Sequence, residues 1–249
     1  MGASLSVSKR KIKVFHRLIG VVAFLFGLTG QVQAQDEGSR GADLSGVYYT
    51  QHPPETLKPI DGHPVPLTDA GRAALAANAP KVAAAKIPPS GTAMDACIPA
   101  GPTRVLQQPF PLEIVQKGKT VILIWEHNHT WERVYIDEKP DPDVDPSYPG
   151  FSVGHWDGST LVVDTSSFND STFLDNTGLP HSDDLTVQRR FRKVNGGKAI
   201  EITATITDPI MYSRPWTVRA TLPLRPDISI EEFVCGQNTL ETRYTRADL

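Results

Sequence analysis

The chain is poor in cysteine, with two in 249 residues, and it lacks several patterns that would name a chemistry. It has no phosphate-binding glycine loop and no dinucleotide fingerprint, which disfavours nucleotide-dependent reactions. It has no Gly-x-Ser-x-Gly nucleophile elbow, which disfavours a serine hydrolase. Its one long apolar run, Leu18 to Leu28, has 11 residues, too few for the roughly 20 that span a bilayer. We therefore expect chemistry that needs no cofactor.

The first 34 residues have the three-part layout of a secretory signal peptide. A basic start is followed by the apolar run and then by Val32-Gln33-Ala34, a small-residue cleavage pattern. A single membrane anchor with a short core is the alternative. The sequence thus predicts export to the periplasm or the exterior, with residues 1–34 removed and no stable membrane insertion afterwards. The basic start consists of Lys9, Arg10, Lys11, Lys13 and Arg17.

Cleavage makes the protein strongly acidic. It removes five basic residues and no acidic one, which leaves 20 basic against 28 acidic residues, a formal net charge of −8. An acidic chain with no basic stripe repels phosphate backbones, so nucleic acid is excluded as a partner.

The two cysteines, Cys97 and Cys235, lie far apart in an exported chain. That context favours a single disulfide. The bridge would close a loop of about 140 residues, and loop entropy alone would then stabilise the fold by about 4–5 kcal/mol. A thiol nucleophile or a metal ligand is the alternative.

The pattern of short strands and turns predicts a mainly β fold. We expect a first strand within 44–49 and later strands at 111–117, 119–126, 130–137, 151–156, 159–166, 185–194, 198–208, 216–224 and 228–235. Closure into an antiparallel, up-and-down, lipocalin-like barrel removes the exposed edges, and a β-sandwich is the alternative. Residues 109–249 would form the barrel. Residues 35–108 would supply a strand, a proline-rich wrap and a short helix at 70–84 that Pro80 splits or ends early.

A series of motifs lies within residues 97–235. They are found at 109–115, 125–126, Arg133, 154–165, 168–170, 174–175, 180–182, 190–192 and 208–209. Through these motifs the chain resembles a large family of exported bacterial proteins, most of which have no assigned reaction. The resemblance implies export and a β-rich fold. Two turn residues differ, with Asp157 where the family often has Glu and Ser159 where it often has Asp.

Strand 130–137 carries the most suggestive side chains. Trp131, Arg133 and Tyr135 share one face, where Arg133 between two aromatics could bind a substrate carboxylate by two hydrogen bonds. The alternative is an exterior face with Arg133 paired to an acid. Glu126 ends the preceding apolar run, where burial would make it a usable acid or base. A salt bridge from Glu126 to Arg133 would use both groups equally well.

The long loop 167–184 carries His181, which can shuttle protons near neutral pH. Asp175 in the same loop could orient it, or His181 could simply stabilise the loop. Asp208 is a second candidate proton carrier. Tyr212 is a candidate donor to a substrate oxygen, with a packed aromatic corner as its alternative.

Two other patterns superficially suggest metals. His127 and His129 form a His-x-His, but Asn128 between them indicates an exposed turn. Acids alternate with prolines in 138–150, yet the glycine and closing Glu of a calcium loop are absent. We predict no metal site.

Together these residues predict a cofactor-independent lyase (a decarboxylase or dehydratase) or an isomerase that acts on a small organic acid or aromatic compound in a barrel pocket. Arg133 would hold the carboxylate, Glu126 or Asp208 would move a proton with His181, and Tyr212 would donate. Trp131, Tyr135 and Asp175 would line the pocket. Non-catalytic binding of a small molecule is the competing function, and an envelope structural protein is a third. A homo-oligomer stays open.

Overall fold

Nine strands and one helix make up the fold in the computed structural model, which describes residues 41–54, 56–84 and 99–233. The signal-peptide residues, Cys97 and Cys235 lie outside these ranges. Each of the eight strands after residue 109 begins and ends within one residue of its expected bounds. The strands are β1 Gly46–Tyr48, β2 Leu112–Lys117, β3 Thr120–Trp125, β4 Thr130–Ile136, β5 Phe151–Asp157, β6 Thr160–Ser166, β7 Thr186–Val194, β8 Ala199–Thr207 and β9 Trp216–Pro223.

The nine strands form one sheet in sequential order that is nearly closed into a barrel. β1 and the end of β9 meet through an antiparallel bridge between Tyr48 and Leu224. Two backbone hydrogen bonds complete the closure, from Tyr49 N to Pro223 O at 2.9 Å and from Arg225 N to Val47 O at 2.8 Å. The predicted mainly β, lipocalin-like fold is confirmed.

One pair of strands departs from the up-and-down pattern. β4 and β5 run parallel and pair over only three residues, Val134 to Ile136 against Ser152 to Gly154. A parallel neighbour requires the chain to return along the barrel, and the long connection 137–150 makes that return.

The two ends of the barrel differ because of this return. One end has tight turns at 118–119, 158–159 and 195–198, where Gly118 and Gly158 adopt φ of +58°. The connections 126–129, 167–185 and 208–215 lie at the other end, which we call the mouth, and 137–150 runs from the tight-turn end to the mouth. Binding residues concentrate on such connections.

Alternating apolar side chains fill the barrel. On β8, Ile200, Ile202, Ala204 and Ile206 are buried, while the residues between them are partly exposed. The segment 99–108 closes the mouth, since Val105 on its short 3-10 helix packs into the core. Packed apolar side chains therefore fill the described part of the interior.

Helix α1 (Asp69–Ala84) is longer than expected because Pro80 lies within it and does not end it. The Thr68 hydroxyl accepts a hydrogen bond from Gly71 N at 3.0 Å and so caps the helix. Gly71 is required, because a Cβ there would lie 2.2 Å from the Met211 carbonyl oxygen. The expected break at Pro80 is wrong. An interior proline removes one helical hydrogen bond, and at an exposed site the helix tolerates that loss.

The strand expected at 228–235 is also absent from its described part, residues 228–233. The backbone N–H groups of Glu231 and Phe233 donate to the side chains of Glu126 and His129, so this segment bonds to the turn 126–129 and not to a strand. No helix among the described residues is long and apolar enough to cross a membrane.

Candidate functional site

The structure does not bring the five predicted catalytic residues into one pocket. Arg133 lies exposed on the outer face of β4, whereas Glu132, Val134 and Ile136 of the same strand point inward. The prediction that the Arg133 face lines the barrel interior is therefore wrong. The alternative salt bridge to Glu126 does not form either. Glu126 accepts a hydrogen bond from Glu231 N at 2.9 Å instead.

Asp208 holds the loop 167–184 against the β8–β9 connection. Its carboxylate accepts hydrogen bonds from Ser182 N at 2.6 Å and from the Ser182 hydroxyl at 3.0 Å. It also accepts from Ile210 N at 3.1 Å and Met211 N at 3.0 Å. Three of these bonds go to Oδ1 and one to Oδ2, so Asp208 joins the loop 167–184 to the β8–β9 connection as a structural clamp.

His181 and Tyr212 belong to the same network, which we call the latch (Thr172, His181, Ser182, Asp208 and Tyr212). His181 Nδ1 lies 3.1 Å from the Ser182 carbonyl oxygen. That oxygen can only accept, so Nδ1 carries the proton and Nε2 accepts from the Thr172 hydroxyl, 2.8 Å away. Burial lowers the pKa of His181. Tyr212 donates to the Pro180 carbonyl at 2.7 Å, and burial raises its pKa.

Asp175 stabilises its own loop. Its Oδ1 accepts from Thr177 N at 2.9 Å, from the Thr177 hydroxyl at 2.8 Å and from Leu179 N at 3.1 Å. It makes no contact with His181 among the hydrogen bonds of the described chain. The geometry of Asp175 and the latch residues therefore agrees with the alternative in which these residues stabilise the loop.

An aromatic groove of about 400 Å³ lies on the outer face of the barrel beside β4. The Tyr135 and Phe151 rings stack with centroids 5.2 Å apart and an angle of 23° between planes. The Arg133 guanidinium lies 4.6 Å from the centre of the Tyr135 ring. Trp131 is 61% exposed. We call this feature the outer groove; its lining includes His129, Trp131, Arg133, Tyr135, Tyr148 and Phe151.

Strand topology creates the outer groove. β5 begins opposite the second half of β4, with Val134 paired to Ser152, so the first half of β4 has no partner on that side. Gly150 permits the sharp entry into β5, with φ of +72° and the Ser166 carbonyl 2.5 Å from where a Cβ would lie. The Trp131, Arg133 and Tyr135 face thus does line a cavity, but on the outside of the barrel.

Beneath the outer groove lies a buried ion pair that sequence reasoning missed. Arg189 on β7 donates from Nη1 to Glu132 Oε2 at 2.8 Å, and from Nη2 to Glu132 Oε1. Ser152 also donates to Glu132, and the Thr165 hydroxyl lies 2.8 Å from both Ser152 Oγ and Arg189 Nη2. Four neighbouring strands each supply one of these side chains.

A small void of about 20 Å³ lies against the buried ion pair. Its volume corresponds to about one water molecule. Glu132, Thr130 and Tyr148 line both this void and the outer groove. A signal for the pair was present in the sequence, since Glu132 and Arg189 each occupy an inward position on an otherwise apolar strand face.

The histidines at 127 and 129 differ from the expected exposed turn. His127 is 1% exposed and lies between Phe110 and Phe233, with ring centroids 5.1 and 5.5 Å away. His129 Nε2 accepts from Phe233 N at 2.6 Å. The turn reverses within three residues and the C-terminal segment covers it, so His127 becomes buried. Within the described ranges, no three His, Cys, Asp or Glu side chains are grouped to hold a metal ion.

Comparison of the chain with family models, with curated proteins and with solved structures gives no match. The function must therefore be argued from the geometry alone. The resemblance to exported bacterial proteins stays a prediction.

Proposed function

We propose that the protein binds a small aromatic carboxylate in the outer groove. The observation that carries this proposal is the position of Arg133, an exposed cation stacked on Tyr135 beside the exposed Trp131. Guanidinium groups bind carboxylates by two parallel hydrogen bonds, and aromatic rings add about 0.5–1.5 kcal/mol per stacked pair beyond area burial. A ligand with an aromatic ring and a carboxylate would contact both the aromatic side chains and Arg133.

The charge environment supports Arg133 as the carboxylate-binding group. The other surface arginines among the described residues are paired with acids, as in Arg190 with Asp157 at 2.6 Å and Arg192 with Glu201 at 2.8 Å. Arg133 forms no ion pair with any described residue. Its guanidinium is held in place by the Tyr135 ring, so a ligand carboxylate displaces no protein partner.

The size of the outer groove also fits a single-ring ligand. Ligand pockets for drug-sized molecules measure about 300–1,000 Å³, and the groove falls near the lower limit. Its open side leaves part of the ligand exposed, which favours reversible binding. We further propose, from the leader-like residues 1–34, that binding takes place outside the cytoplasm.

A lyase or isomerase acting on the same ligand is the second candidate. One observation favours it, because Glu132 and Ser152 also line the outer groove and could move a proton beneath a bound ring. Arg189 and Ser152 already engage both Glu132 oxygens, so catalysis would require Glu132 to exchange a partner. Binding without turnover needs no such exchange and is the primary proposal.

Titration of the purified protein with 4-hydroxybenzoate tests this proposal. We expect quenching of tryptophan fluorescence, because Trp131 lies in the outer groove, and weaker binding of phenol and of cyclohexanecarboxylate, which each lack one feature. Arg133→Met should lower the affinity at least tenfold. Arg192→Met, the same change on the outer face of β7, is the matched control and should leave the affinity unchanged.

Two results would count against the proposal. Equal affinity of Arg133→Met and the unmodified protein for the ligand would show that Arg133 does not bind the carboxylate. No binding of any member of a panel of aryl carboxylates would show that the ligand class is wrong. NMR of the ligand detects product formation. A product that the unmodified protein forms and Glu132→Gln does not would favour the lyase or isomerase.

A further inference from the structure

A buried arginine at the mouth of the barrel lacks the partners that such a group requires. Arg104 begins the 3-10 helix Arg104–Gln107 and is 2% exposed. Its Nε and Nη2 atoms have no hydrogen-bond partner among the described residues. The nearby aromatic ring of Phe173 lies 5.9 Å from the guanidinium carbon, which is no substitute for a hydrogen-bond acceptor. Buried charges are normally paired and hydrogen-bonded.

The nearest acid does not satisfy Arg104. The negative charge of Asp175 acts to raise the pKa of Arg104, but burial outweighs it and lowers the pKa to about 10. Arg104 is therefore still charged at neutral pH. None of the ion pairs among the described residues joins Asp175 to Arg104, and Asp175 Oδ1 accepts three hydrogen bonds within its own loop.

His127 is a second buried side chain near Arg104 that lacks hydrogen-bond partners. Both of its ring nitrogens lack hydrogen-bond partners in the described part of the chain. Burial, and then the positive charge of Arg104, lower the pKa of His127 to about 4. The ring is therefore neutral at pH 7 and offers one donor and one acceptor. We call Arg104 and His127 the mouth pair.

The two Arg104 nitrogens without partners indicate which kind of group could bind to them. Nε and Nη2 form one edge of the guanidinium, and their two N–H groups point in parallel. This edge matches the two oxygens of a carboxylate. We infer that the mouth pair is a binding site for a small aliphatic carboxylate, which Arg104 holds through both oxygens beside the His127 ring.

The surroundings limit the ligand to a small one. Phe110 and Phe233 enclose the His127 ring, and Phe233 is fixed by its backbone N–H, which donates to His129. Arg104 and His127 line neither the outer groove nor the void beside Glu132. The site is therefore separate from the proposed aromatic site, and neither proposal depends on the other.

Thermal unfolding in sodium acetate tests the inference, with sodium chloride keeping the ionic strength constant. A ligand that binds only the native state raises the melting temperature with the logarithm of its concentration above the dissociation constant. We expect this saturable rise for the unmodified protein. Arg104→Met should abolish it, and His127→Phe, which keeps the ring between its aromatic neighbours, should weaken it severalfold. Arg133→Met should leave it intact, which separates the two sites.

A direct measurement covers the case in which Arg104→Met does not fold. ¹³C-labelled acetate should show saturable line broadening with the unmodified protein, and formate should compete with it. Arg104→Lys keeps the charge but loses the two-point edge, so it should bind acetate at least tenfold more weakly. No broadening with the unmodified protein, or equal binding by the lysine variant, would overturn the inference.

Discussion

The latch and the mouth pair each contain a buried histidine, but they differ in how many of their polar atoms have hydrogen-bond partners. In the latch, Asp208 accepts four hydrogen bonds, and both nitrogens of His181 have partners. In the mouth pair, two guanidinium nitrogens and both His127 nitrogens have none within the described residues. A complete network stabilises one conformation, whereas an incomplete one retains capacity for a ligand. On this difference we assign the latch a structural role and propose the mouth pair as a binding site.

Removing the latch carboxylate should have the largest effect. Asp208→Ala leaves two buried and two partly buried donors without their acceptor, and we expect the free energy of unfolding to fall by about 4 kcal/mol. Tyr212→Phe removes one hydrogen bond, to Pro180, and should cost only about 1 kcal/mol. Urea denaturation measures both. If Asp208→Ala cost no more than Tyr212→Phe, the latch would not be the clamp described.

Lowering the pH should have the next largest effect on stability, and it acts through His127 of the mouth pair. The pKa of His127 falls from 6.5 to about 4 on folding, so the unfolded chain binds the proton more tightly. The contribution of His127 to stability is full above pH 6.5 and is lost as the pH falls toward 4, by about 3 kcal/mol in all. The pKa of His181 is also lowered, so it acts in the same direction.

The matched test is the pH dependence of unfolding for His127→Phe, measured in buffers without carboxylates. This variant should lose most of the decline between pH 6.5 and 4 and keep the part that His181 contributes. A decline equal to that of the unmodified protein would show that His127 does not titrate between these limits.

Removing the unsatisfied charge should have a smaller effect with the opposite sign. Arg104→Met replaces a buried cation that lacks partners by an apolar chain of similar length, so without added anions we expect a gain of about 1 kcal/mol. Arg189→Met is the contrasting variant, because it leaves the buried Glu132 without its two-point partner and should cost about 3–5 kcal/mol. A large loss in Arg104→Met would mean that protein groups already satisfy Arg104.

The sequence predicted the strands well because alternation and turn residues are local signals. It did not predict which face of β4 points inward, since one face carries two aromatics and a cation and the other carries an acid with two aliphatics. Glu132 can point inward only because Arg189, 57 residues later, supplies its partner. That pairing depends on the register of strands that are not adjacent in sequence.

The same reason explains the other differences. The strand expected at 228–235 is replaced in its described part by backbone hydrogen bonds to the side chains of Glu126 and His129, about 100 residues earlier in the chain. Arg104 lies in an irregular segment with no periodicity, so no local pattern indicated its burial. The outer groove was partly predictable. The sequence correctly placed Trp131, Arg133 and Tyr135 on one face of the strand, but it put that face on the inside of the barrel.

The outer groove should show the smallest change in stability and the clearest change in binding. Trp131 is mostly exposed, so Trp131→Ala should alter the free energy of unfolding by less than about 0.5 kcal/mol. It should nevertheless weaken binding of 4-hydroxybenzoate, because one stacking surface is lost, and leave the acetate response of the mouth pair unchanged. Isothermal titration calorimetry measures both ligands without relying on tryptophan fluorescence. Unchanged affinity for the aromatic ligand would place its ring elsewhere in the groove, against Tyr135 and Phe151 alone.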